Sequence, residues 1–307
     1  MTRHLLQSHA WEDYSKAEGR QVFWRDGDGY EVLAILQSTP LGNYLFCPYG
    51  PQLTGDDPKK SLAYALESLR SLAREQDAFF VRIEPTYAFA AADLQQLGLV
   101  KSHDIEPAHT WAIDLTQPEE QILAEIEKTK VRHWRNHQKK GLSVRTSQDP
   151  AEITILSKLL QGVGERDHFT PQDESHLKGQ LAAGFATLYI AEFEGQPVAA
   201  SLVYDYDGVR YYAHAGTDDA HRKLMAGTVL LVQMILDAKN SGAKVFDFWG
   251  ITTSDDHNHP WYGFTQYKKS FGGYQIDYSG TWDLPLHRVK YRLYQMLRKL
   301  NRARRKK

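Results

Sequence analysis

Apolar residues recur along this chain with two periods, and the order of those periods is the same in its two halves. Alternating apolar positions predict strands, and apolar positions spaced by three and four predict helices. The first half is predicted to contain a hairpin over 21–36, a strand over 43–48, a helix over 62–73 and a strand over 78–84. The second half is predicted to contain a hairpin over 187–204, a strand over 209–215, a helix over 225–240 and a strand over 245–249. This repetition predicts an α/β fold built from a duplicated module.

The order hairpin, strand, helix, strand resembles that of the Gcn5-related N-acyltransferase fold. Members that use acetyl-CoA hold its pyrophosphate on backbone N–H groups of a glycine-rich loop where the helix begins. The matching loop here is 222–227, and Met225 stands where the middle glycine is expected. Its side chain would crowd a closely approaching phosphate. We therefore expect no acetyl-CoA and no other cofactor, and an acyl donor held on a different carrier.

Charge is distributed unevenly, although the 307 residues carry 37 basic and 38 acidic side chains and a formal net charge of −1. Residues 128–145 hold seven basic side chains and no acidic one, and residues 288–307 hold ten and none. The rest of the chain keeps 20 basic against 38 acidic residues, a net charge of −18. Two basic segments on an acidic body are typical of a protein that binds a polyanion.

The composition favours a folded protein without disulfides. Hydrophobic residues make up 42% of the chain, and its single cysteine, Cys47, is expected to be a small core residue. The start has no apolar secretion signal, and the best apolar stretch, 224–236, is too short to cross a bilayer. His257 and His259 lie in a turn-rich loop without a third strong ligand, so no metal site is predicted. We expect a cytoplasmic protein.

The first basic segment is predicted to lie on a helix over 118–140 that ends at Gly141. Acidic residues occupy the first half of this helix and basic residues the second, as the helix dipole favours. Spacings of four, three and four place four side chains on one stripe: Lys128, Arg132, Arg135 and Lys139. Such a stripe is either a solvated surface or a phosphate-binding surface.

The second basic segment is predicted to be an amphipathic C-terminal helix. Its apolar positions are Val289, Leu293, Met296, Leu297 and Leu300. We expect this apolar stripe to pack on the body of the protein and to leave the residues from Arg298 onward in solvent. The basic end is then a solubilising tail, a contact for RNA phosphates or a peripheral contact for an anionic membrane surface.

The stretch from 245 to 283 is the densest in aromatic and polar residues. Asp247 lies in a strand between Phe246 and Phe248, where an unpaired carboxylate is costly, so we expect either a structural arginine or a substrate as its partner. Lys268 lies among aromatic residues, and a lysine in that position can present a charge to a developing oxyanion or a phosphate.

Five segments, in order along nearly the whole chain, resemble the Fem family of aminoacyltransferases: 6–11, 48–51, 110–115, 247–251 and 263–273. The last is the most specific, because it matches the family pattern of a glycine followed by aromatic-Lys-x-x-Phe-Gly. The resemblance implies two tandem acyltransferase-like domains. The first comprises 1–108 and a returning C-terminal helix, 286–307; the second is 109–285, with the basic helix 118–140 and an active-site segment at 245–273.

The resemblance further implies transfer of an amino acid from aminoacyl-tRNA to the stem peptide of a UDP-linked or lipid-linked peptidoglycan precursor. Lys268 is then the catalytic residue that stabilises the reacting carbonyl, and the basic stripe receives the tRNA. Four positions differ from the family pattern. Ser15, with Lys16 beside it, stands where many members carry a basic residue after the first tryptophan, and Tyr49 replaces the arginine of the Pro-Arg-Gly-Pro loop. Gln172 and His176 replace an arginine and a tyrosine. The expected substrate-binding residues are Tyr267, Asp247, Trp249, Tyr212, Trp261, Tyr49, Gln172, His176 and Lys16.

Two other functions are compatible with the same residues. One is an N-acyltransferase of this fold that uses another acyl carrier and another amine. The other is a non-enzymatic module that binds RNA or a membrane surface, although phosphate contact alone would not require the aromatic-lysine segment around 268.

Overall fold

The computed structural model describes residues 3–167 and 170–305, and within it the chain forms two compact units. Unit 1 contains Arg3–Ala108 and the segment from Asp277 onward, and unit 2 contains His109–Ile276. Each unit has a seven-stranded mixed sheet with helices packed against it, which confirms the predicted α/β class. The segment 277–285 was predicted in the second domain, but its strand is hydrogen-bonded into the sheet of unit 1.

Strands and helices are numbered along the whole chain. The strands of unit 1 are β1 (Val22–Gly27), β2 (Tyr30–Thr39), β3 (Gly42–Cys47), β4 (Gln52–Leu53), β5 (Ala78–Ile83), β6 (Val100–Lys101) and β14 (Trp282–Pro285). Its helices are α1 (His9–Ala17), α2 (Pro58–Glu75), α3 (Ala91–Gln96) and α10 (Arg288–Arg305). The sheet order is β1-β2-β3-β5-β14-β6, and β4 pairs with β2.

Unit 2 repeats this plan with longer strands. Its strands are β7 (His109–Asp114), β8 (Leu142–Ser147), β9 (Ala186–Phe193), β10 (Gln196–Tyr206), β11 (Val209–Thr217), β12 (Val245–Gly250) and β13 (Tyr274–Asp277). Its helices are α4 (Glu119–Glu125), α5 (Lys128–Arg135), α6 (Ile153–Asp167), α7 (Glu174–Ala182), α8 (Ala226–Asn240) and α9 (Tyr262–Lys269). The sheet order is β13-β7-β12-β11-β10-β9-β8.

The predicted repeat of hairpin, strand, helix and strand is confirmed. It corresponds to β1-β2-β3-α2-β5 in unit 1 and to β9-β10-β11-α8-β12 in unit 2, with one parallel strand pair in each. In unit 1 this pair stays hydrogen-bonded up to Cys47, the last residue of β3. In unit 2 the pairing ends at Tyr211 and Asp247, although β11 continues to Thr217. The carboxyl ends of β11 and β12 therefore separate, and a gap between parallel strands at that end is where open α/β sheets bind ligands.

The predicted helix over 118–140 is wrong as a single element. It is divided into α4, α5 and a 3-10 turn at Gln138–Lys140. Ile126 adopts an extended conformation and is buried in the core of unit 2, and the next N–H, of Glu127, donates to the Ser270 carbonyl at 3.0 Å. The helix is therefore interrupted at Ile126, because the buried isoleucine side chain and the tertiary hydrogen bond of Glu127 together stabilise the chain more than a continued helix would. Gly141 ends the segment in a left-handed conformation, as predicted.

The predicted packing of α10 is also wrong. Its aliphatic positions are exposed, and Tyr291 and Tyr294 pack on Phe79 and Phe80 of β5 instead. Within the described residues, no helix combines the length and the hydropathy that a membrane span requires.

Candidate active site

The candidate site lies where β12 ends, beside the gap between β11 and β12. Trp249 has a φ of 64°, in the left-handed region that tryptophan rarely occupies, and the register between β12 and β7 shifts at this point. The backbone distortion turns the chain out of the sheet at Gly250. Helix α9 follows after a loop and brings Lys268 to the end of the strand. Strained backbone of this kind is found where a protein positions functional groups.

Asp247 is 5% exposed, and its hydrogen-bond partners are a hydroxyl and a backbone amide. An arginine, one of the two partners expected from the sequence, is not among them. The Trp249 N–H donates to Oδ1 at 2.7 Å, and Thr110 Oγ1 forms a short hydrogen bond with the same oxygen. Burial raises the pKa of Asp247 to about 6, against the opposing effects of Thr110, the Trp249 N–H and the Lys268 charge. Both hydrogen bonds go to Oδ1, and neither involves Oδ2.

Thr110 explains how this carboxyl is held in either protonation state. Its Oγ1 lies 2.8 Å from the Trp249 carbonyl as well as beside Asp247 Oδ1, and a hydroxyl carries only one hydrogen. A protonated Asp247 donates from Oδ1 to Oγ1, and Thr110 then donates to the carbonyl, so Oδ1, Oγ1 and the carbonyl oxygen each keep a hydrogen bond. When Asp247 is ionised, the Thr110 hydroxyl donates its hydrogen bond to Oδ1 and no longer donates to the Trp249 carbonyl. The hydrogen bonding therefore accommodates the neutral carboxyl at low cost.

Lys268 is 1% exposed and donates from Nζ to the Gly250 carbonyl at 2.6 Å. Its Nζ also lies 3.7 Å from the centre of the Phe264 ring, within the range of a cation–π contact. Burial lowers its pKa to about 7, and the nearby Asp247 charge opposes that decrease. A buried acid and a buried base thus both titrate near neutral pH at the end of one strand. Paired groups with shifted pKa values are typical of sites that move protons or stabilise charge.

A line of hydrogen-bonded side chains runs along one side of Trp249. The Tyr204 ring lies 6.2 Å from the Trp249 ring, and its hydroxyl donates to Gln180 at 2.7 Å. Gln180 in turn donates to Gln172 at 3.4 Å, and His214 lies 3.0 Å from the Tyr204 hydroxyl. The structure thus connects Gln172, a predicted substrate-binding residue, to Trp249 through two residues that the sequence did not single out.

Three other predicted substrate-binding residues lie around α9. Trp261 immediately precedes this helix and is 43% exposed, so its ring is accessible beside Phe264. Tyr267 and Tyr212 pack against the apolar core of unit 2, and burial raises the pKa of Tyr267 to about 12. The Tyr267 hydroxyl lies 3.4 Å from Thr228 Oγ1 in the first turn of α8. These two tyrosines therefore border the gap from the α8 face of the sheet.

The remaining predicted substrate-binding residues lie elsewhere. His176 is half-buried on α7 in unit 2. Lys16 and Tyr49 belong to unit 1. The Lys16 ammonium is exposed and lies 2.8 Å from Glu12 Oε1. Tyr49 is buried, stacks on His4 with ring centres 3.9 Å apart, and donates to the Pro107 carbonyl at 3.2 Å.

The basic stripe is exposed along its full length. Lys128, Arg132 and Arg135 lie on α5, and Lys139 lies on the following 3-10 turn. In the part of the chain that the structure describes, none of these four side chains forms an ion pair, so their charges are available to a ligand. The Trp134 Nε1 of the same helix donates to Gln233 of α8 at 2.9 Å, which fixes the helix on the unit.

Other features of the described chain lie apart from this cluster. Cys47 is buried in the core of unit 1, as predicted. His257 and His259 are on an exposed loop, and no group of His, Cys, Asp or Glu side chains suited to a metal ion is found among the residues described. A cavity of about 620 Å³ lies between β8 and α8, lined among others by Arg145, Tyr189 and Asp237.

Comparison with known proteins bears on the same segment. A sequence profile of the FemAB family matches residues 180–299, which include Asp247 and Lys268. The resemblance to the Fem family is confirmed. One relative is the lipid II:glycine glycyltransferase of Staphylococcus epidermidis, 20% identical over 378 aligned positions that cover 96% of this chain and 91% of that protein.

Solved structures agree with this fold. The crystal structure of FemX superposes with a TM-score of 0.83 at 19% identity, covering 95% of this chain and 94% of that one. A tandem GNAT protein from the clavulanic acid biosynthesis pathway superposes with a TM-score of 0.56 at 14% identity, covering 93% of this chain and 90% of that one. Two tandem domains of the Gcn5-related N-acyltransferase fold are therefore confirmed.

Proposed function

We propose that this protein is an aminoacyltransferase that moves an amino acid from aminoacyl-tRNA to an amine on the stem peptide of a peptidoglycan precursor. The observation that carries the proposal is the buried pair of Asp247 and Lys268 at the open end of β11 and β12, in the segment that matches the FemAB family. The name of the staphylococcal relative, a glycyltransferase acting with lipid II, supports both the reaction type and the acceptor.

In the proposed reaction the acceptor nitrogen attacks the ester carbonyl of the aminoacyl-tRNA. A C–N bond forms, negative charge develops on the carbonyl oxygen, and the C–O bond to the tRNA ribose then breaks. The nitrogen loses a proton, and the ribose oxygen gains one. The enzyme therefore needs a donor for the oxyanion and a group that receives the amine proton.

Lys268 is the proposed donor. Its Nζ already donates to a carbonyl oxygen, that of Gly250, so the geometry suits an oxygen acceptor at the same short distance. An ammonium in a site shielded from water stabilises an oxyanion more strongly than one in solvent. The phenyl ring of Phe264 covers the Nζ and contributes to that shielding.

Asp247 is the proposed proton acceptor, a role for which the sequence indicated no residue. Its Oδ2 has no hydrogen bond to another described residue, and its pKa of about 6 is suited to receiving a proton near neutral pH. The proton is received on Oδ2, while Oδ1 keeps its hydrogen bonds to Thr110 and to the Trp249 N–H. Ribose can then receive the proton as the ester bond breaks.

The tRNA is the proposed acyl carrier, bound through Lys128, Arg132, Arg135 and Lys139. Helix α5 begins next to the end of α9, because the Glu127 N–H donates to the Ser270 carbonyl. Lys130, also on α5, lies 5.8 Å from the Tyr267 ring centre. A polyanion lying on the stripe would therefore have one end beside the segment that holds Lys268.

The acceptor is proposed to occupy the aromatic and polar surface around Trp249. Tyr212, Tyr267, Trp261 and Gln172 contribute to this surface, and His176, Lys16 and Tyr49 remain substrate-binding predictions from the sequence. The lipid-linked form of the precursor is favoured over the UDP-linked form, because the relative is named for lipid II. A lipid-linked acceptor would place the reaction at the cytoplasmic face of a membrane, with α10 as the proposed peripheral contact.

The test is amide formation by purified protein with a panel of charged tRNAs and both precursor forms. We expect product with one or a few tRNAs, and we expect ribonuclease to abolish it. Product that survives ribonuclease would favour an N-acyltransferase with another carrier. Lys268→Ala should reduce the single-turnover rate by roughly a hundredfold or more with substrates saturating, whereas Lys269→Ala should not. An unchanged rate in Lys268→Ala would refute the role given to this lysine.

A further inference from the structure

Helix α10 is attached to unit 1 by one of its faces. The Tyr291 hydroxyl donates to the buried Asp283 at 2.9 Å, and Gln295 donates to the same carboxylate at 3.3 Å. The rings of Tyr291 and Tyr294 pack against Phe80, with centres 5.4 and 5.2 Å apart. This inner face fixes the rotation of the helix about its own axis.

The opposite face of α10 carries an exposed aliphatic stripe, defined by Val289, Leu293, Met296, Leu297 and Leu300. At 3.6 residues per turn, these five positions project about 180° away from the anchored face. Val289 is 83% exposed, and Met296 and Leu300 are each 53% exposed. Exposed apolar residues that are contiguous on one helix face mark an interaction surface more often than solitary ones do.

Basic side chains border this aliphatic stripe on both sides. Arg288, Arg292 and Lys299 lie along one border and Lys290 along the other, all exposed, and residues 288–300 contain no acidic side chain. An apolar stripe bordered by lysine and arginine is the pattern of a helix that lies in a bilayer interface, with its charges at the level of anionic headgroups.

We propose that α10 binds the surface of an anionic phospholipid bilayer, with the aliphatic stripe inserted among the acyl chains. A second copy of this chain is disfavoured as the occupant, since two such helices would bring like charges together. RNA is also disfavoured as the main occupant, because its phosphates would bind the basic borders and leave the five apolar side chains in water. The proposal extends the proposed function, since a lipid-linked acceptor lies at such a surface.

Flotation with vesicles tests the proposal on the full chain. We expect the wild-type protein to float with vesicles of equal parts phosphatidylglycerol and phosphatidylcholine, and not with phosphatidylcholine alone. Val289→Ser with Met296→Ser should lower the partition coefficient by roughly tenfold or more, because two inserted side chains are lost. Arg292→Gln with Lys299→Gln should lower it by a similar factor, because two headgroup contacts are lost.

A matched control uses apolar residues of similar exposure elsewhere in unit 1. Val100 and Ile105 are 46% and 44% exposed, and Val100→Ser with Ile105→Ser should leave flotation unchanged. A polarity-sensitive dye on Met296→Cys should shift to the blue on anionic vesicles, whereas the same dye on Glu67→Cys should not. The native Cys47 is buried and will not compete for the dye.

Equal flotation of wild type and Val289→Ser with Met296→Ser would overturn the proposal, as would a dye on Met296→Cys that stays in water. A concentration-dependent dimer that the same serine variant abolishes would assign the stripe to self-association and also overturn it. None of these measurements contains tRNA or acceptor. The membrane proposal and the transferase proposal can therefore fail separately, and turnover on a water-soluble acceptor should be the same in the serine variant.

Discussion

Replacing the buried lysine of the candidate site by methionine should stabilise the protein while abolishing the proposed reaction. Lys268→Met keeps the length of the side chain and removes the ammonium, which unit 2 must otherwise hold at 1% exposure. A site that holds a group at a cost in stability is expected where the group is needed for function. The size of the stabilisation follows from the pKa of the lysine.

That pKa is about 7 in the folded protein, against an ordinary value of 10.5, and burial is the cause. At about 1.4 kcal/mol per pH unit, the difference opposes folding by about 5 kcal/mol below pH 7. The opposing free energy shrinks as the pH rises from 7 to 10.5, because the folded protein has then already released the proton; at pH 9 about 2 kcal/mol remains.

Methionine also removes a favourable interaction, which reduces the gain. Loss of the hydrogen bond to the Gly250 carbonyl costs about 1 kcal/mol, whereas the attraction to Asp247 is already contained in the pKa of the lysine. Lys268→Met should therefore raise the free energy of unfolding of unit 2 by about 4 kcal/mol at pH 6 and by about 1 kcal/mol at pH 9. The decrease of the gain with pH is the specific signature of a buried ammonium.

Amide hydrogen exchange of β12 and α9 as a function of denaturant measures opening of unit 2 without depending on unit 1. Lys269→Met is the matched control, since Lys269 lies on the same helix with its Nζ 5.3 Å from the Trp111 ring centre and should change stability by less than about 1 kcal/mol. A destabilised Lys268→Met protein, or an equal gain at pH 6 and pH 9, would refute the reasoning.

Three further predictions concern the reaction, the tRNA and the scaffold. The single-turnover rate should rise through pH 6 as Asp247 ionises, and Asp247→Asn should lower the rate by roughly a hundredfold and remove that rise; an unchanged pH profile would contradict its role as proton acceptor. Changing Lys128, Arg132 and Arg135 together to glutamine should raise the KM for tRNA and reduce the salt dependence of its binding by a slope of roughly two to three, and equal slopes would exclude the stripe. Asp283→Asn should destabilise unit 1 by about 3–5 kcal/mol in the same exchange experiment, and a loss below about 1 kcal/mol would show that its ion pair is dispensable.

Helices and strands with a strong apolar period could be predicted from the sequence, because burial of one face of each element determines where its apolar residues lie. The helix predicted over 225–240 is Ala226–Asn240. The positions whose helical spacing predicts the helix over 62–73 are all buried in α2: Leu62, Ala65, Leu66, Leu69, Leu72 and Ala73. The strand over 245–249 is Val245–Gly250, and the order of the two modules follows from the same pattern. Lys268 and Asp247 could be singled out because charged residues within aromatic segments conflict with their surroundings.

Features that depend on tertiary partners could not be predicted in this way. On α10 the sequence offers an aliphatic face and a tyrosine face, and only the buried Asp283 explains why Tyr291 faces inward: its hydroxyl has a partner there. Tyr204 has no charge and lies in no motif, and it enters the site through its ring, whose centre is 6.2 Å from that of Trp249. Thr110 begins the Fem-like segment 110–115, but nothing in that segment indicates its contact with Asp247, 137 residues further along the chain.

The duplication offers an internal comparison that separates structural charges from functional ones. Each unit buries a carboxylate on or beside the second strand of its parallel pair. In unit 1 Asp283 on β14 is paired with Arg82 of β5 by hydrogen bonds of 2.7 and 2.8 Å. Burial lowers the pKa of Arg82, but the hydrogen bonds and charge of Asp283 outweigh it, so the pKa stays raised and the charge is permanent. In unit 2 Asp247 has no arginine among its described partners, and its nearest cation is a lysine whose own pKa is lowered.

The difference matters because a buried ion pair that is fully compensated cannot exchange protons near neutral pH, whereas a carboxyl and an ammonium left partly compensated can. The parallel strands of unit 1 also remain paired to the end of β3, while those of unit 2 separate beyond Tyr211 and Asp247. The parallel strands thus stay hydrogen-bonded beside a permanent ion pair in unit 1, and they separate beside a titratable pair in unit 2. The chemistry of this protein should accordingly be found in unit 2, and substitutions at Arg82 should reduce stability without changing the pH dependence of the reaction.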